Sequence, residues 1–267
     1  MTVLRFEYAD RRALAALVFV DALGARVVSP VSVAAPGVKL LRKRPGDMVV
    51  MGVPDLASHD VFTAPPDDTP VGSLAVQLDI RPAARGLGAR RYALRLPRNP
   101  LIADPLPADS LFRPVEIVLL PSPGATPTGL VAALSVTLRR ADDARRIEGA
   151  LIRLTPEGGR PVSRAMTDAS GEALLFVPGV PVSMPGPAAT VLPDLAATLD
   201  AIVDPDLARF HRDAELDAAR DAAARRVSGF VDPDDIETRL ADEATPALAL
   251  RIAAGRTRTA RLDWTPP

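Results

Sequence analysis

Proline and glycine recur along the whole chain and set the strongest limit on its fold. Of the 267 residues, 28 are proline and 17 are glycine. Proline inside a helix costs about 3 kcal/mol, and both residues favour turns. We therefore expect short strands joined by frequent turns, with helices confined to one region of the chain.

Alternating apolar residues locate the strands of the first half. In the segment SLAVQLDIR, Leu74, Val76, Leu78 and Ile80 alternate with smaller or polar residues, as expected for a strand with one buried face. The candidate strands are Ala15–Asp21, Val27–Ala34, Met48–Val53, Ser73–Arg81 and Arg91–Leu96. The KLLRKRPG run around Lys39 and Lys43 is instead interpreted as a solvated basic turn, with a docking contact as the alternative.

A proline-rich stretch divides the chain. Residues 97–114 contain five prolines and no sustained periodicity, which is typical of an extended connector. Further strand patterns follow from VEIVLLP onward. We predict a mainly β protein with an N-terminal β-sandwich at 1–96, a connector at 97–114 and a second β-sandwich at 115–267.

The second sandwich is predicted to carry an α-helical insertion at 191–244. Asp204 and Asp232 each precede a proline, which is the signature of a helix start with an N-cap and a proline at the first helical position. Arg209 and Asp213 lie four residues apart and would pair on one helix face. We expect two helices, with a third over LPDLAATLDAIV as an open alternative. Trp264, in the last strand, is expected in the core.

The segment TDASGEALLFVPG has the marks of a turn before a strand. Asp168 can accept hydrogen bonds from the amides that follow it, and Gly171 can adopt a positive φ. We predict that these two residues fix a structural hairpin turn between the Met166 side and the Leu174 strand.

The same region resembles a known family. Gly149-Ala150-Leu151-Ile152-Arg153-Leu154, then Thr167-Asp168-Ala169-Ser170-Gly171, then an apolar strand ending at Gly179 follow the order seen in prealbumin-like (transthyretin-like) sandwiches, such as carboxypeptidase regulatory-like domains. The resemblance covers residues 145–179 directly and implies a prealbumin-like fold for 115–267. It implies little about function, because such modules serve mostly as spacers, docking surfaces or stability domains.

Nucleophilic catalysis has few candidate residues in this chain. Ser170 would need a base, and His59 and His211 are the only histidines. His59 lies in the first predicted domain, and His211 lies within the predicted charged helix. A solvated histidine is the commoner situation, so we predict no catalytic residues. A hydrolase using Ser170 or an acid pair stays an open alternative.

Metal and covalent cross-linking sites are also disfavoured. The chain has no cysteine, so a zinc centre lacks ligands. Calcium is conceivable at 231–235 or 65–70, although neither has the spacing of a known calcium loop, and helix capping and a solvated turn explain these acids better. The second domain has no lysine and the single Asn99 lies outside it, which excludes a Lys-Asn isopeptide bond there. We predict no metal and no cofactor.

Charge and hydropathy limit the classes of partner that this chain is expected to bind. The formal net charge of −1 offers no field for nucleic acid or an anionic membrane. The first 22 residues lack the clean apolar core of a signal peptide, so we expect cytoplasmic synthesis, with export by a non-classical route left open. We expect protein partners, and neither nucleic acid nor membrane.

These observations favour a non-enzymatic structural or adaptor protein. Its candidate interaction surface is the charged part of the insertion, with residues Arg209, Arg212, Asp213, Arg220 and Arg225. A prealbumin-like module joined to a proline-rich connector (SLFRPVEIVLLPSP) is similar to accessory proteins of phage-tail-like contractile injection systems, which implies a particle-associated role. A glycan- or peptide-binding module is a further alternative, although two tyrosines and one tryptophan leave few aromatic platforms.

Overall fold

A computed structural model describes most of the chain. The described residues are 12–60, 68–101, 106–127, 131–157, 159–160, 162–180, 194–213, 230–245 and 247–266. Across these ranges the protein is built mainly from strands, arranged in several sheets that pack face to face. The predicted mainly β fold is therefore confirmed.

The strands are short and follow one another closely. In the first part they are β1 (Ala15–Asp21), β2 (Val31–Ala34), β3 (Lys39–Arg44), β4 (Asp47–Gly52), β5 (Leu74–Pro82), β6 (Arg90–Leu96) and β7 (Val115–Leu119). In the second part they are β8 (Ala132–Arg140), β9 (Arg146–Glu148), β10 (Leu151–Pro156), β11 (Ser163–Met166), β12 (Glu172–Val177), β13 (Leu195–Ile202), β14 (Arg209–His211), β15 (Leu248–Ile252) and β16 (Thr257–Trp264). Helix α1 spans Pro233–Leu240, and 3₁₀ helices span Pro54–Asp60 and Ala241–Glu243.

The first seven strands form two facing sheets, with strand orders β3-β4-β1-β7 and β2-β5-β6. Their inward side chains meet in one core that includes Phe19 and Leu94. The alternation predicted for β5 is present, since Leu78 and Ile80 are fully buried whereas Gln77 is exposed. This first sandwich buries enough apolar surface to form a core of its own.

Strand β7 lies in the first sandwich and not, as predicted, at the start of the second. It pairs in parallel with β1, and Val115, Ile117 and Leu119 are buried in the first core. An alternating strand shows which side chains are buried but not against which sheet, so the sequence pattern could not place it. We propose that the boundary between two domains lies between β7 and β8; the predicted boundary near Pro114 would remove a core strand.

The basic run at Lys39 is a strand and not the predicted turn. As β3 it forms the edge of its sheet and pairs with β4. Most of its side chains are exposed, so it lacks the apolar alternation by which a half-buried strand is recognised. Positive charges on an edge strand also oppose pairing with other chains.

The remaining strands form a second sandwich. One sheet has the order β11-β10-β13-β15, and the other has the order β12-β8-β9-β14 with β16 added in parallel beside β8. The core between them includes Leu134, Ile152 and Leu199. Trp264 is 6% exposed and belongs to this core, which confirms its predicted position.

The region predicted as a helical insertion contains two strands as well as a short helix where the structure describes it. Residues Leu195–Ile202 form β13, and Arg209–His211 form β14. In β13 the side chains of Ala197, Leu199 and Ala201 point into the core at a spacing of two, a pattern that small alanines obscure in the sequence. Asp204 begins a single turn only, in which the Ala208 amide donates to the Asp204 carbonyl at 2.8 Å. The remainder of the helix predicted from Asp204, residues 214–226, lies outside the described residues.

Helix α1 begins where the sequence predicts. The Asp232 carboxylate accepts a hydrogen bond from the Asp234 amide at 3.1 Å, and Pro233 occupies the first turn. Ile236 is fully buried against Leu151 and Ile202 on the outer face of the second sandwich. The helix therefore packs within its own chain. Within the described ranges, no helix is both long and apolar enough to cross a membrane.

Candidate interaction surface

The turn at Asp168 has the hydrogen bonds expected from its sequence. The Asp168 carboxylate accepts from the amides of Ser170 at 2.8 Å and Glu172 at 3.1 Å. Gly171 has φ +66°, and a Cβ placed there would lie 2.7 Å from the Leu138 carbonyl oxygen. The burial of Asp168 raises the pKa of its carboxyl above the usual value, and the amides of Glu172 and Ser170 oppose that rise.

The turn does not close a hairpin. Strand β11 pairs with β10 in one sheet, whereas β12 pairs with β8 in the other. The segment between Met166 and Glu172 thus carries the chain from one layer of the sandwich to the facing layer. Sequence alone could not separate the two cases, because a tight acid-glycine turn serves both. The Gly171 carbonyl accepts a hydrogen bond from the Leu138 amide at 2.8 Å, which places the end of the turn beside β8.

The predicted interaction residues fall in two parts of the chain. Arg209 lies on β14 and Arg212 and Asp213 follow it, while Arg220 and Arg225 lie outside the described residues. Because β14 is a strand, the helical pairing predicted between Arg209 and Asp213 is wrong. The Arg209 and Arg212 side chains are exposed.

Asp213 instead pairs with the hairpin of β8 and β9. Its carboxylate accepts from Arg146 Nε at 2.8 Å and lies 3.5 Å from Arg139. The hydrogen bond from Arg146 lowers the pKa of Asp213, despite a small opposing effect of desolvation. Asp213 therefore stays ionised at neutral pH and holds the chain after β14 against β9.

Phe210 provides an aromatic platform beneath two guanidinium groups. Its ring stacks on Trp264 with centroids 5.9 Å apart, and the guanidinium carbons of Arg140 and Arg145 lie 5.7 and 5.8 Å from its centroid. Stacking of this kind orders arginine side chains at little entropic cost. We use the name arginine cluster for the six arginines around β14, which are Arg139, Arg140, Arg145, Arg146, Arg209 and Arg212.

The histidine of β14 pairs with a buried acid. His211 Nε2 lies 2.7 Å from Glu148 Oε2, and Glu148 is 3% exposed. The backbone of Ser170 belongs to the turn, because its amide donates to Asp168 and its carbonyl accepts from Arg146. In the part of the chain that the structure describes, no hydrogen bond joins Ser170 to His211, as a serine nucleophile would require.

The second histidine lies beside a cavity in the first sandwich. His59 is 6% exposed and lines a space of about 100 Å³ together with Arg12, Arg98 and Thr69. Its Nδ1 lies 3.4 Å from the Ser58 hydroxyl. Among the described lining residues there is no carboxylate to orient the imidazole, which the predicted hydrolase alternative would need.

The acids considered for calcium are occupied by arginine. Asp232 and Asp234 both accept hydrogen bonds from the Arg90 guanidinium, and Asp235 pairs with Arg239. Across the described ranges, no group of three or more acidic or histidine side chains is arranged to hold a metal ion. Residues 65–67 of the other calcium candidate lie outside these ranges.

The start of α1 joins the second sandwich to the first. Arg90, on β6, is 2% exposed and donates to Asp232 at 2.9 Å, to Asp234 at 2.6 Å and to the Val118 carbonyl on β7 at 2.9 Å. The Ala93 amide donates to the other Asp232 oxygen at 3.1 Å. Arg90 belongs to the first sandwich, whereas its two acidic partners lie at the start of α1, which packs on the second sandwich.

Asp234 is the residue shared between the two sandwiches. Its second oxygen accepts from Arg164 on β11 at 2.9 Å, and Arg164 also donates to Glu237 at 2.7 Å. Burial raises the pKa of Asp234 and the charges of Arg90 and Arg164 lower it, with a net pKa below the usual value. We name this set, Arg90, Arg164, Asp232, Asp234 and Glu237, the ionic joint.

Comparison with known proteins gives little further guidance. No family model matches the chain, and no curated protein does. The TIE protein of Bacillus anthracis matches with a TM-score of 0.28 and 10% identity, over 96% of this chain and 34% of that one. BcpA, the major pilin subunit of Bacillus cereus, matches with a TM-score of 0.26 and 8% identity, over 95% of this chain and 56% of that one. These values are too low to assign a fold family, so the prealbumin-like resemblance stays a prediction.

Proposed function

We propose that this protein is a non-enzymatic structural or adaptor protein that holds protein partners in a larger assembly. The observation that carries the proposal is the ionic joint, in which Asp234 binds Arg90 of the first sandwich and Arg164 of the second. A protein that positions partners needs a fixed distance between its own parts. An enzyme with a hinged active-site cleft needs its parts to move relative to each other.

The joint resists bending because the charges of its Arg90–Asp232 pair are poorly hydrated. The Arg90 side chain is 3% exposed and that of Asp232 is 10% exposed. Separating them would leave buried charges without partners, and removing one partner of a buried pair typically costs about 3–5 kcal/mol. The two sandwiches are therefore expected to move as one body.

The arginine cluster is the surface we propose for the partner. Among the described residues, four carboxylates lie around these six arginines, which are Asp142, Asp143, Asp213 and Glu148. Arg140 and Arg145, which stack on Phe210, already pair with Asp142 and Asp143, and the planar guanidinium group suits contacts with carboxylates in general. We therefore propose an acidic protein surface as the partner. The protein's net charge of −1 argues against nucleic acid.

The specific assembly we propose is a phage-tail-like contractile injection system, with this protein as an accessory component. We propose the cytoplasm as the place where it acts, in free form or bound to the particle. The support is the general architecture, which has two β-sandwiches and a proline-rich segment at 97–114, together with the rigid joint between the sandwiches. Fractionation of native cells into soluble, membrane and particle fractions tests the location.

Affinity purification from the native host tests the function. We expect the tagged protein to recover sheath and tube proteins, identified by mass spectrometry, and particles visible by negative-stain electron microscopy. The double variant Arg209→Glu, Arg212→Glu should reduce that recovery at least about fivefold, because each reversal replaces attraction by repulsion. Arg85→Glu, an exposed arginine of the first sandwich, is the matched control and should leave recovery unchanged.

The outcomes separate the general proposal from the specific one. A defined acidic partner recovered without sheath or tube proteins would support an adaptor and refute the injection-system role. A monomer recovered with no partner, or equal recovery by the charge-reversed variant and the wild type, would refute the proposed surface. Retention of the native far-UV circular dichroism spectrum by both variants shows that the fold is intact.

A further inference from the structure

Strand β16 is the outermost strand of its sheet. It runs parallel to β8 from Thr257 to Trp264 and has no other strand partner among the described residues. With eight residues it is among the longest strands in the protein. Long edge strands are where sheets most readily accept a further strand.

The hydrogen bonds to β8 show which backbone groups of β16 point outward. The Ala133 amide donates to the Arg256 carbonyl at 3.1 Å, and the Ala141 amide donates to the Trp264 carbonyl at 2.8 Å. Because backbone groups alternate in direction along a strand, the even-numbered residues face β8 and the odd-numbered ones face outward. The outward residues are Thr257, Thr259, Arg261 and Asp263, which present four N–H and four C=O groups.

Strand β15 forms the neighbouring edge of the facing sheet, and one of its backbone carbonyl groups already accepts a hydrogen bond from a side chain. The Arg258 guanidinium reaches across and donates to the Arg251 carbonyl on β15. In the described part of the chain, no comparable side chain bonds to the outward backbone groups of β16. The two edges therefore differ, and β16 is the one available for pairing.

We infer that β16 pairs antiparallel with β16 of a second copy of this chain. With Ala260 of each copy at the two-fold axis, Thr257 lies opposite Asp263 and Thr259 lies opposite Arg261. Each such pair exchanges two hydrogen bonds, so in this register all eight outward backbone groups of each copy are hydrogen-bonded. The sheets of the two molecules then form one continuous sheet across the axis.

The side chains fit this register. No like charges lie directly opposite one another, which is the arrangement that destabilises strand pairs. At the axis, Ala260 lies opposite Ala260 of the second molecule, and these small side chains allow the two strands to approach closely. Threonine, which favours strands, supplies two of the four outward positions.

The charges on this edge favour a second copy over a strongly charged partner. Charged edges usually repel other strands, as the basic strand β3 does. On β16 the exposed Arg261 and Asp263 lie 2.9 Å apart and neutralise each other, so the outward residues have no net charge. An isologous contact also satisfies both partners at once, which makes a closed dimer the expected product.

A proline substitution at the edge tests the inference. Thr259→Pro removes an outward N–H while leaving the bonds of Ala260 to β8 in place, and proline is tolerated on edge strands. Sedimentation equilibrium of the purified full chain should show a dimer for the wild type and for the control Thr259→Val. The proline variant should raise the dissociation constant at least about tenfold, because one hydrogen bond between the strands is lost on each side of the two-fold axis.

Two charge variants keep the test independent of how proline affects folding. Thr259→Arg places arginine opposite Arg261 at two symmetric positions, whereas Thr259→Glu places glutamate there. We expect the arginine variant to dissociate at least about fivefold more readily than the glutamate variant. The outward amides of Thr257 and Arg261 should exchange hydrogen more slowly at high wild-type concentration than at low concentration.

Two results would overturn this interface. One is a wild type that sediments as a monomer throughout the accessible concentration range. The other is a dimer whose dissociation constant is the same for the proline, arginine and glutamate variants, because its interface would then lie elsewhere. The measurement uses purified protein alone, so neither result bears on the adaptor function or on the arginine cluster.

Discussion

Replacing Gly171 with alanine probes the close contact between the turn before β12 and the neighbouring strands β8 and β9. Gly171 has φ +66°, and its carbonyl accepts a hydrogen bond from the Leu138 amide at 2.8 Å. An added Cβ would lie 2.7 Å from the Leu138 carbonyl oxygen and 3.1 Å from the Ile147 amide nitrogen. Both neighbours are backbone atoms of paired strands, so neither can rotate away.

The expected cost has two parts. Alanine in the left-handed region costs about 1–2 kcal/mol, partly offset by about 0.4–1 kcal/mol from the less flexible unfolded chain. Forcing the turn away from the Leu138 carbonyl adds about 1–3 kcal/mol, as for other overpacked sites. We therefore expect Gly171→Ala to lower the free energy of unfolding by about 2–4 kcal/mol.

Gly179 provides a matched control just beyond the other end of β12. It has φ +72°, but a Cβ there would meet no atom within 4 Å. Gly179→Ala should therefore cost only the conformational part, about 1 kcal/mol or less. Urea denaturation followed by circular dichroism and by Trp264 fluorescence measures both variants. Equal midpoints for the two variants would refute the steric argument for Gly171.

Three further predictions concern the ionic joint and helix α1. Arg90→Met should destabilise the protein by about 3–5 kcal/mol in urea denaturation, whereas the exposed control Arg85→Met should change stability by less than about 0.5 kcal/mol. The pKa of Asp234 is lowered in the fold, so its stabilising effect is present above the unfolded-state pKa and is lost as pH falls through the folded one. Between pH 7 and pH 3 the wild type should thus lose more stability than Asp234→Asn, and equal losses would contradict the assignment. Ile236→Ala should cost about 2–4 kcal/mol, because this fully buried side chain anchors α1; thermal unfolding measures it, and an unchanged midpoint would show that the helix is held by its ion pairs alone.

Local patterns in the sequence predict local structure well in this protein. The alternation in β5, the start of α1 at Asp232 and the buried position of Trp264 all follow from a few adjacent residues. Strand β13 was missed for a physical reason, since the alanines in LAATLDAI fit a helix and a strand equally well. Only the pairing with β10 and β15 decides between the two.

Long-range placement could not be predicted from the same patterns. Arg90 and Asp234 are separated by 144 residues, and nothing around Arg90 distinguishes it from the other arginines of the chain. The Asp232-Pro233 pair predicts a helix start, but it does not predict that the Arg90 guanidinium lies beside that start. Likewise Asp213 was expected to pair along a helix, whereas it binds Arg146 on a strand 67 residues earlier.

The charged residues of segment 191–244 form two groups with different contacts. The acids at the start of α1 are used within the chain, because Arg90 and Arg164 bind them at the junction of the sandwiches. Around β14, Arg209 and Arg212 have exposed side chains, and six arginines lie near one another among the described residues. A partner that recognises charge is thus expected to bind at β14, and substitutions at α1 should alter stability before they alter binding.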